Sequence, residues 1–117
     1  MADTLNNIGE AYAGNDQFSE AEEYFGEALL SLKTNKRKGD LLALILHNMG
    51  SVKYHQLLFA DALENFDLAV TERKDALGEF HPDVAEMHLN IGKLQLECGK
   101  VDIAMDYFLN ALLIGRM

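Results

Sequence analysis

The sequence predicts an all-α solenoid of three stacked antiparallel helix pairs, wound as a right-handed superhelix. Three observations predict it. A spacing of small and aromatic residues recurs three times along the 117 residues. Apolar residues recur at helical intervals inside each unit. No stretch alternates apolar and polar residues as a half-buried strand does.

The spacing decides the architecture. Gly9, Gly50 and Gly92 stand 41 and then 42 residues apart. Twelve residues beyond each glycine is an alanine: Ala21, Ala62 and Ala104. Four further on is Phe25, Phe66 or Phe108, and three beyond that Ala28, Ala69 or Ala111. The chain therefore reads as three copies of one unit, at about 2–39, 40–80 and 81–117, forming a single domain that belongs to a larger protein or assembly.

Each unit divides into two helices. In the first, Leu5, Ile8 and Tyr12 form one stripe of a 3.6-residue period. In the second, Ala21, Tyr24, Phe25, Ala28 and Leu29 form another. Gly14-Asn15-Asp16 and Gly99-Lys100 signal the turns of units one and three. Unit two offers only His55-Gln56 there. Linkers are expected at 34–40 and 78–83, the second holding the one proline, Pro82, suited to a first helical turn by its fixed φ. The small residues predict where the helices of a pair touch: Gly9 with Ala21, Gly50 with Ala62, Gly92 with Ala104. The phenylalanines are expected to fill the space between neighbouring pairs, and stacking buries what one pair cannot.

Composition narrows the function. Nineteen acidic residues against ten basic ones give a formal charge of −9, which argues against nucleic acid or an anionic membrane as partner. The longest apolar run, 41–46, is far short of the roughly 20 residues of a membrane span, so no membrane insertion is expected. The opening MADTLNNIGE has neither the cationic start nor the apolar core of a signal peptide. A single cysteine, Cys98, forms no internal disulfide and fits the cytoplasm or another reducing intracellular compartment.

Leu5-x2-Ile8-Gly9-x2-Tyr12, with Ala21, Phe25 and Ala28, resembles the tetratricopeptide repeat over nearly the whole chain. The period near 42 is similar to the extended repeats of kinesin light chains. His81-Pro82-Asp83-Val84-Ala85 leading into Leu89-Asn90-Ile91-Gly92 resembles their His-Pro-Asp-Val-Ala stretch and Asn-rich turn. The sequence departs from the pattern at Lys53 and Gln95, where unit one has Tyr12. The opening aromatic of the pattern is here Leu5, Leu46 or His88. The resemblance implies a non-enzymatic adaptor that holds a partner's peptide in a groove.

The resemblance also implies that one face of each first helix lines that groove. The candidate peptide-binding residues on it are Asn7, Asn48 and Asn90, with Glu10, His47, Ser51, Tyr54, Glu86, Leu89 and Lys93. An asparagine stands two places before each glycine. Its amide offers one acceptor and two donors, so three in a ladder can pair with an extended backbone. The competing reading is that these asparagines bond to a neighbouring helix or are tolerated on a wet face. Asp3, Glu10, Glu86 and Glu97 favour a basic ligand. In the chaperone-type members that clamp a carboxylate, cations stand where this chain has Asn6 and Glu86, so that subtype is rejected.

No catalytic or cofactor constellation is present: no phosphate loop, GxSxG or HExxH. No metal site is expected from His47, His55, His81 and His88. The first two are eight apart, and His88 stands at a core position. The cations at 33–38 read as a solvated linker. The last helix differs from its counterparts. Ile103, Leu109, Leu113 and Ile114 are expected to face outward and to serve as a partner interface, for self-association or a larger complex. Two alternatives to the peptide adaptor follow: a structural subunit docking through this helix, or a regulatory fragment of a larger enzyme or motor protein.

Overall fold

A computed structural model describes residues 1–32 and 39–115, with Gly39 and Asp40 described by their backbone alone. The cationic run at 33–38 lies outside the described residues. Six helices follow one another: α1 (Ala2–Gly14), α2 (Phe18–Leu32), α3 (Gly39–His55), α4 (Phe59–Leu77), α5 (Pro82–Glu97) and α6 (Val101–Gly115). Among the described residues there is no strand. Gly39 and Asp40, expected in a linker, already belong to α3. The helices pack as antiparallel pairs, α1 on α2, α3 on α4 and α5 on α6. The pairs stack through α2 on α3 and α4 on α5, with α1 also meeting α3, as a right-handed α-solenoid.

The recurring glycines and phenylalanines meet inside each pair, not between pairs. A Cβ at Gly9 would lie 2.5 Å from Phe25 Cε1. At Gly50 it would lie 2.7 Å from Phe66, and at Gly92 2.6 Å from Phe108. Each ring thus lies against a bare stretch of the first helix of its own pair, and Phe25 and Phe66 also reach the next pair, as expected. The alanines close the same seam, and Ala21, Ala62 and Ala104 are fully buried. Stacking then joins the pairs. Phe25 shares a cluster with Ile45 and Val52 of α3, and Phe66 shares one with Val84, Ile91 and Leu94 of α5.

The turn inside each pair is the same in all three units. Gln17 N–H donates to Tyr12 O, Leu58 N–H to Lys53 O and Lys100 N–H to Gln95 O, each at 2.9 Å. The residue before each donor is left-handed: Asp16 at φ 60°, Leu57 at φ 65° and Gly99 at φ 79°. This geometry closes the last orphan carbonyls of a helix, and it favours glycine or a short polar residue. Leucine at 57 is a poor fit, which is why unit two carries no turn signal in its sequence. The α5 N-terminus is capped by His81, whose Nδ1 accepts from Asp83 N–H at 3.1 Å, with Pro82 in the first turn.

Ile114 does not face outward. It is buried, 7% exposed, in the cluster that holds Phe66, Val70 and Ile91. It follows Ala104 by ten residues and Ala111 by three, so helical geometry puts all three on one stripe. Its counterparts Ser31 and Glu72 are half-buried at the same register position.

Two substitutions test this frame. Gly50→Ala raises helix propensity by about 1 kcal/mol. It also forces a methyl into the buried Phe66 ring, an overpacking that costs about 1–3 kcal/mol. A lower urea midpoint is expected, and a higher one would show that the ring can give way. Leu57→Gly relieves left-handed strain at an exposed residue and should stabilise by about 0.5–1 kcal/mol, read as a raised melting temperature.

Candidate functional site

The groove is built from the first helix of each pair, placed side by side by the stacking. Three hollows run across it and share residues. The first, ≈ 210 Å³, lies between Glu10 and Ala13 of α1 and Asn48, Ser51 and His55 of α3. The second, ≈ 360 Å³, lies between Ser51, Tyr54, His55 and His47 of α3 and Asn90, Lys93 and Glu97 of α5. The third, ≈ 250 Å³, is bounded by Leu44, His47, Asp83, Glu86, Met87, Asn90 and, from α4, Arg73. Ser51 and His55 join the first to the second, and His47 and Asn90 the second to the third.

Polar contacts tie the repeats together along this face. The Asn48 amide donates to Asn6 Oδ1 at 3.1 Å and to Glu10 Oε1 at 2.9 Å. Both donors of Asn48 are therefore engaged by the preceding repeat, which realises the neighbouring-helix reading at this position. Asn6 beneath it is buried, at 1% exposure. The Tyr54 hydroxyl donates to Glu97 Oε1 at 2.7 Å, joining α3 to α5. That bond holds the phenol's pKa above its ordinary value.

The sequence candidates are distributed as follows. Glu10, Asn48, His47, Ser51, Tyr54, Glu86, Asn90 and Lys93 line the hollows. Asn7 is exposed on α1 outside them. Leu89 is also outside them, exposed on α5. The Asn90 side chain makes no hydrogen bond among the described residues. Phe25, Phe66 and Arg73 were not foreseen in the groove. They come from second helices, and the phenylalanines reach it over the glycines. On α6, Ile103, Leu109 and Leu113 are exposed. Ile103, however, stands about 120° around the helix from Leu109, so the two do not share a strip.

Two histidines sit in low-dielectric surroundings. The His47 ring leans on Phe66 at 5.3 Å. Burial pushes its pKa down, Glu86 opposes this and Arg73 adds to it. His88 is buried at 4% exposure beside Tyr107, and its Nδ1 has no hydrogen-bond partner. Burial lowers its pKa, Lys74 adds to this and Glu79 opposes it. Among the described residues no group of three or more His, Cys, Asp or Glu could hold a metal ion. No helix among them is long and apolar enough to cross a membrane.

Family models of the tetratricopeptide repeat match residues 41–114 and residues 1–33. The chain belongs to the tetratricopeptide repeat family, whose repeats are generally protein–protein interaction modules and typically non-enzymatic. Among solved structures it is similar to BtubC (BKLC) from P. vanneervenii. The TM-score is 0.88 at 22% identity, over 98% of this chain and 46% of that one. It is also similar to the nearly identical TPR-like repeats of a candidate kinesin light chain from Podosopora anserina. There the TM-score is 0.77 at 17% identity, over 95% of this chain and 53% of that one. The chain thus spans about half the length of these structures. A search of the curated proteins finds no match.

The histidines make stability depend on pH with a definite sign. Their folded pKa values lie below the unfolded value of about 6.5, so the unfolded chain takes up protons first. Their contribution is complete above that value and is lost as pH falls from about 7 toward the folded values. Units one and two carry Leu5 and Leu46 where His88 stands. His88→Leu removes an unpartnered buried nitrogen and should stabilise by about 1–3 kcal/mol. It should also flatten the slope of urea midpoint against pH between about 7 and 5. An unchanged slope would show that His88 does not contribute to it.

Proposed function

We propose that this chain is a non-enzymatic scaffold that binds an extended, basic peptide segment of a protein partner along the concave groove of α1, α3 and α5. The observation that carries this reading is the continuity of the three hollows, which share His47, Ser51, His55 and Asn90 across all three repeats. A run of this kind suits a ligand longer than a metabolite. Asn90 presents a whole amide to it, and the engaged Asn48 presents a carbonyl oxygen. The grip on a backbone is thus uneven along the groove, strongest in the third repeat. Glu10, Asp83, Glu86 and Glu97 face Lys93 and Arg73, so the lining carries an acidic excess that favours cationic side chains. A reducing intracellular compartment suits the free, exposed thiol of Cys98.

The test is a titration of the protein with fluorescent peptides of matched length, one set basic and one acidic. Basic peptides should bind more tightly, and added salt should narrow the difference. Asn90→Ala should weaken every bound peptide by about 1–3 kcal/mol, because it leaves backbone groups unpaired. Glu86→Gln should weaken the basic set alone. Binding indifferent to both substitutions would move the ligand out of this groove.

A further inference from the structure

The repeats supply their own comparison for the face that each second helix turns toward the following pair. In α2, Phe18 stacks on His55 at 5.6 Å. Glu22 pairs with Lys53 Nζ at 3.2 Å, and Leu29 packs against the cluster holding Ile45 and Val52. In α4, Leu63 packs against the cluster of Val84, Met87 and Ile91, and Val70 belongs to it at 6% exposure. The same register positions in α6 are Val101, Met105 and Leu112. They stand open, 54%, 49% and 50% exposed. The first helices repeat the contrast. Asn6 lies at 1% exposure beneath Asn48, and its counterpart Leu89 is 40% exposed.

We propose that Val101, Met105 and Leu112 form a docking surface for an amphipathic helix of the kind α3 and α5 supply within the chain, seated on α6 as α3 sits on α2. The chemistry of that helix is read from the two already present. Leu42, Ile45, Met49 and Val52 face α2, and Val84, Met87, Ile91 and Leu94 occupy the same register positions in α5. The occupant is therefore a further helix with apolar residues at i, i+3, i+7 and i+10. A second copy of this chain fits poorly. The matching positions of α1 are Met1, Thr4, Ile8 and Ala11, short or polar where the internal helices carry Ile45 and Met87, or Val52 and Leu94. The two ends of the array are thus unlike: α6 keeps the apolar groups of an internal interface, whereas in α1 two of the four matching positions, Thr4 and Ala11, are polar or small. The surface lies outside the groove, so its test stands whether or not the groove binds peptide.

The probe is a fluorescent, hydrocarbon-stapled helix with the sequence of α5. It should bind the protein saturably. Met105→Asp and Leu112→Asp should each weaken it at least about tenfold, as loss of a central apolar anchor does. Met105→Leu and the groove variant Asn90→Ala should leave it unchanged. The three α6 side chains are half exposed, so their substitution should leave the circular dichroism and melting temperature intact. No binding, or binding that survives both aspartates, overturns the proposal. So does sedimentation showing that the protein pairs with itself and that Leu112→Asp disperses it, because the occupant would then be a second copy.

Discussion

The contact between a phenylalanine ring and a bare glycine backbone, made once in each pair, governs the rest of the structure. It sets how closely the two helices approach, because a single methyl at Gly9, Gly50 or Gly92 would fall within van der Waals distance of the ring. The alanines at 21, 62 and 104 hold the same spacing. With that distance fixed, the second helix presents a flat apolar flank on which the next first helix can lie. The first helices are thereby brought into one row, and a groove exists because they are. The groove is a consequence of packing inside the pairs, and its floor includes Phe25 and Phe66 for the same reason.

This explains what was legible in the sequence. The glycine, alanine and phenylalanine positions could be read directly, because a size constraint permits few residue types. Pro82 and the His81 cap mark the start of α5 by local chemistry. The turn at Leu57 could not be read, because the packed helices on either side impose a left-handed backbone that leucine does not favour. Ile114 was misplaced by comparing residue types in register, Ser31 and Glu72 against isoleucine. The helical stripe it shares with Ala104 and Ala111 was the better signal. The engagement of Asn48 depends on Asn6 and Glu10 of another repeat, 42 and 38 residues away, and no local pattern announces it.

The three asparagines show how one residue type takes different work in equivalent places. Asn7 is exposed, Asn48 joins two repeats, and Asn90 opens into the groove. A side chain that ties one repeat to its neighbour has less of its amide to offer a ligand. Groove chemistry and superhelix geometry therefore compete for the same groups. Tyr54 and Glu97 belong to the same economy, since their bond closes part of the groove lining upon itself.

Neighbouring repeats are joined by two seams of different physical character. One is mainly apolar and runs from second helix to first, through Leu29, Val70, Val84 and Met87, with the Glu22–Lys53 ion pair beside it. The other is polar and lies along the concave face, through Asn48 with Asn6 and Glu10 and through Tyr54 with Glu97. Apolar contact is non-directional and tolerates small rolling, whereas a hydrogen bond weakens steeply as its geometry departs from linear. The polar contacts lie on the concave side of the apolar seam, so straightening the array would lengthen these hydrogen bonds before it parted the apolar contacts.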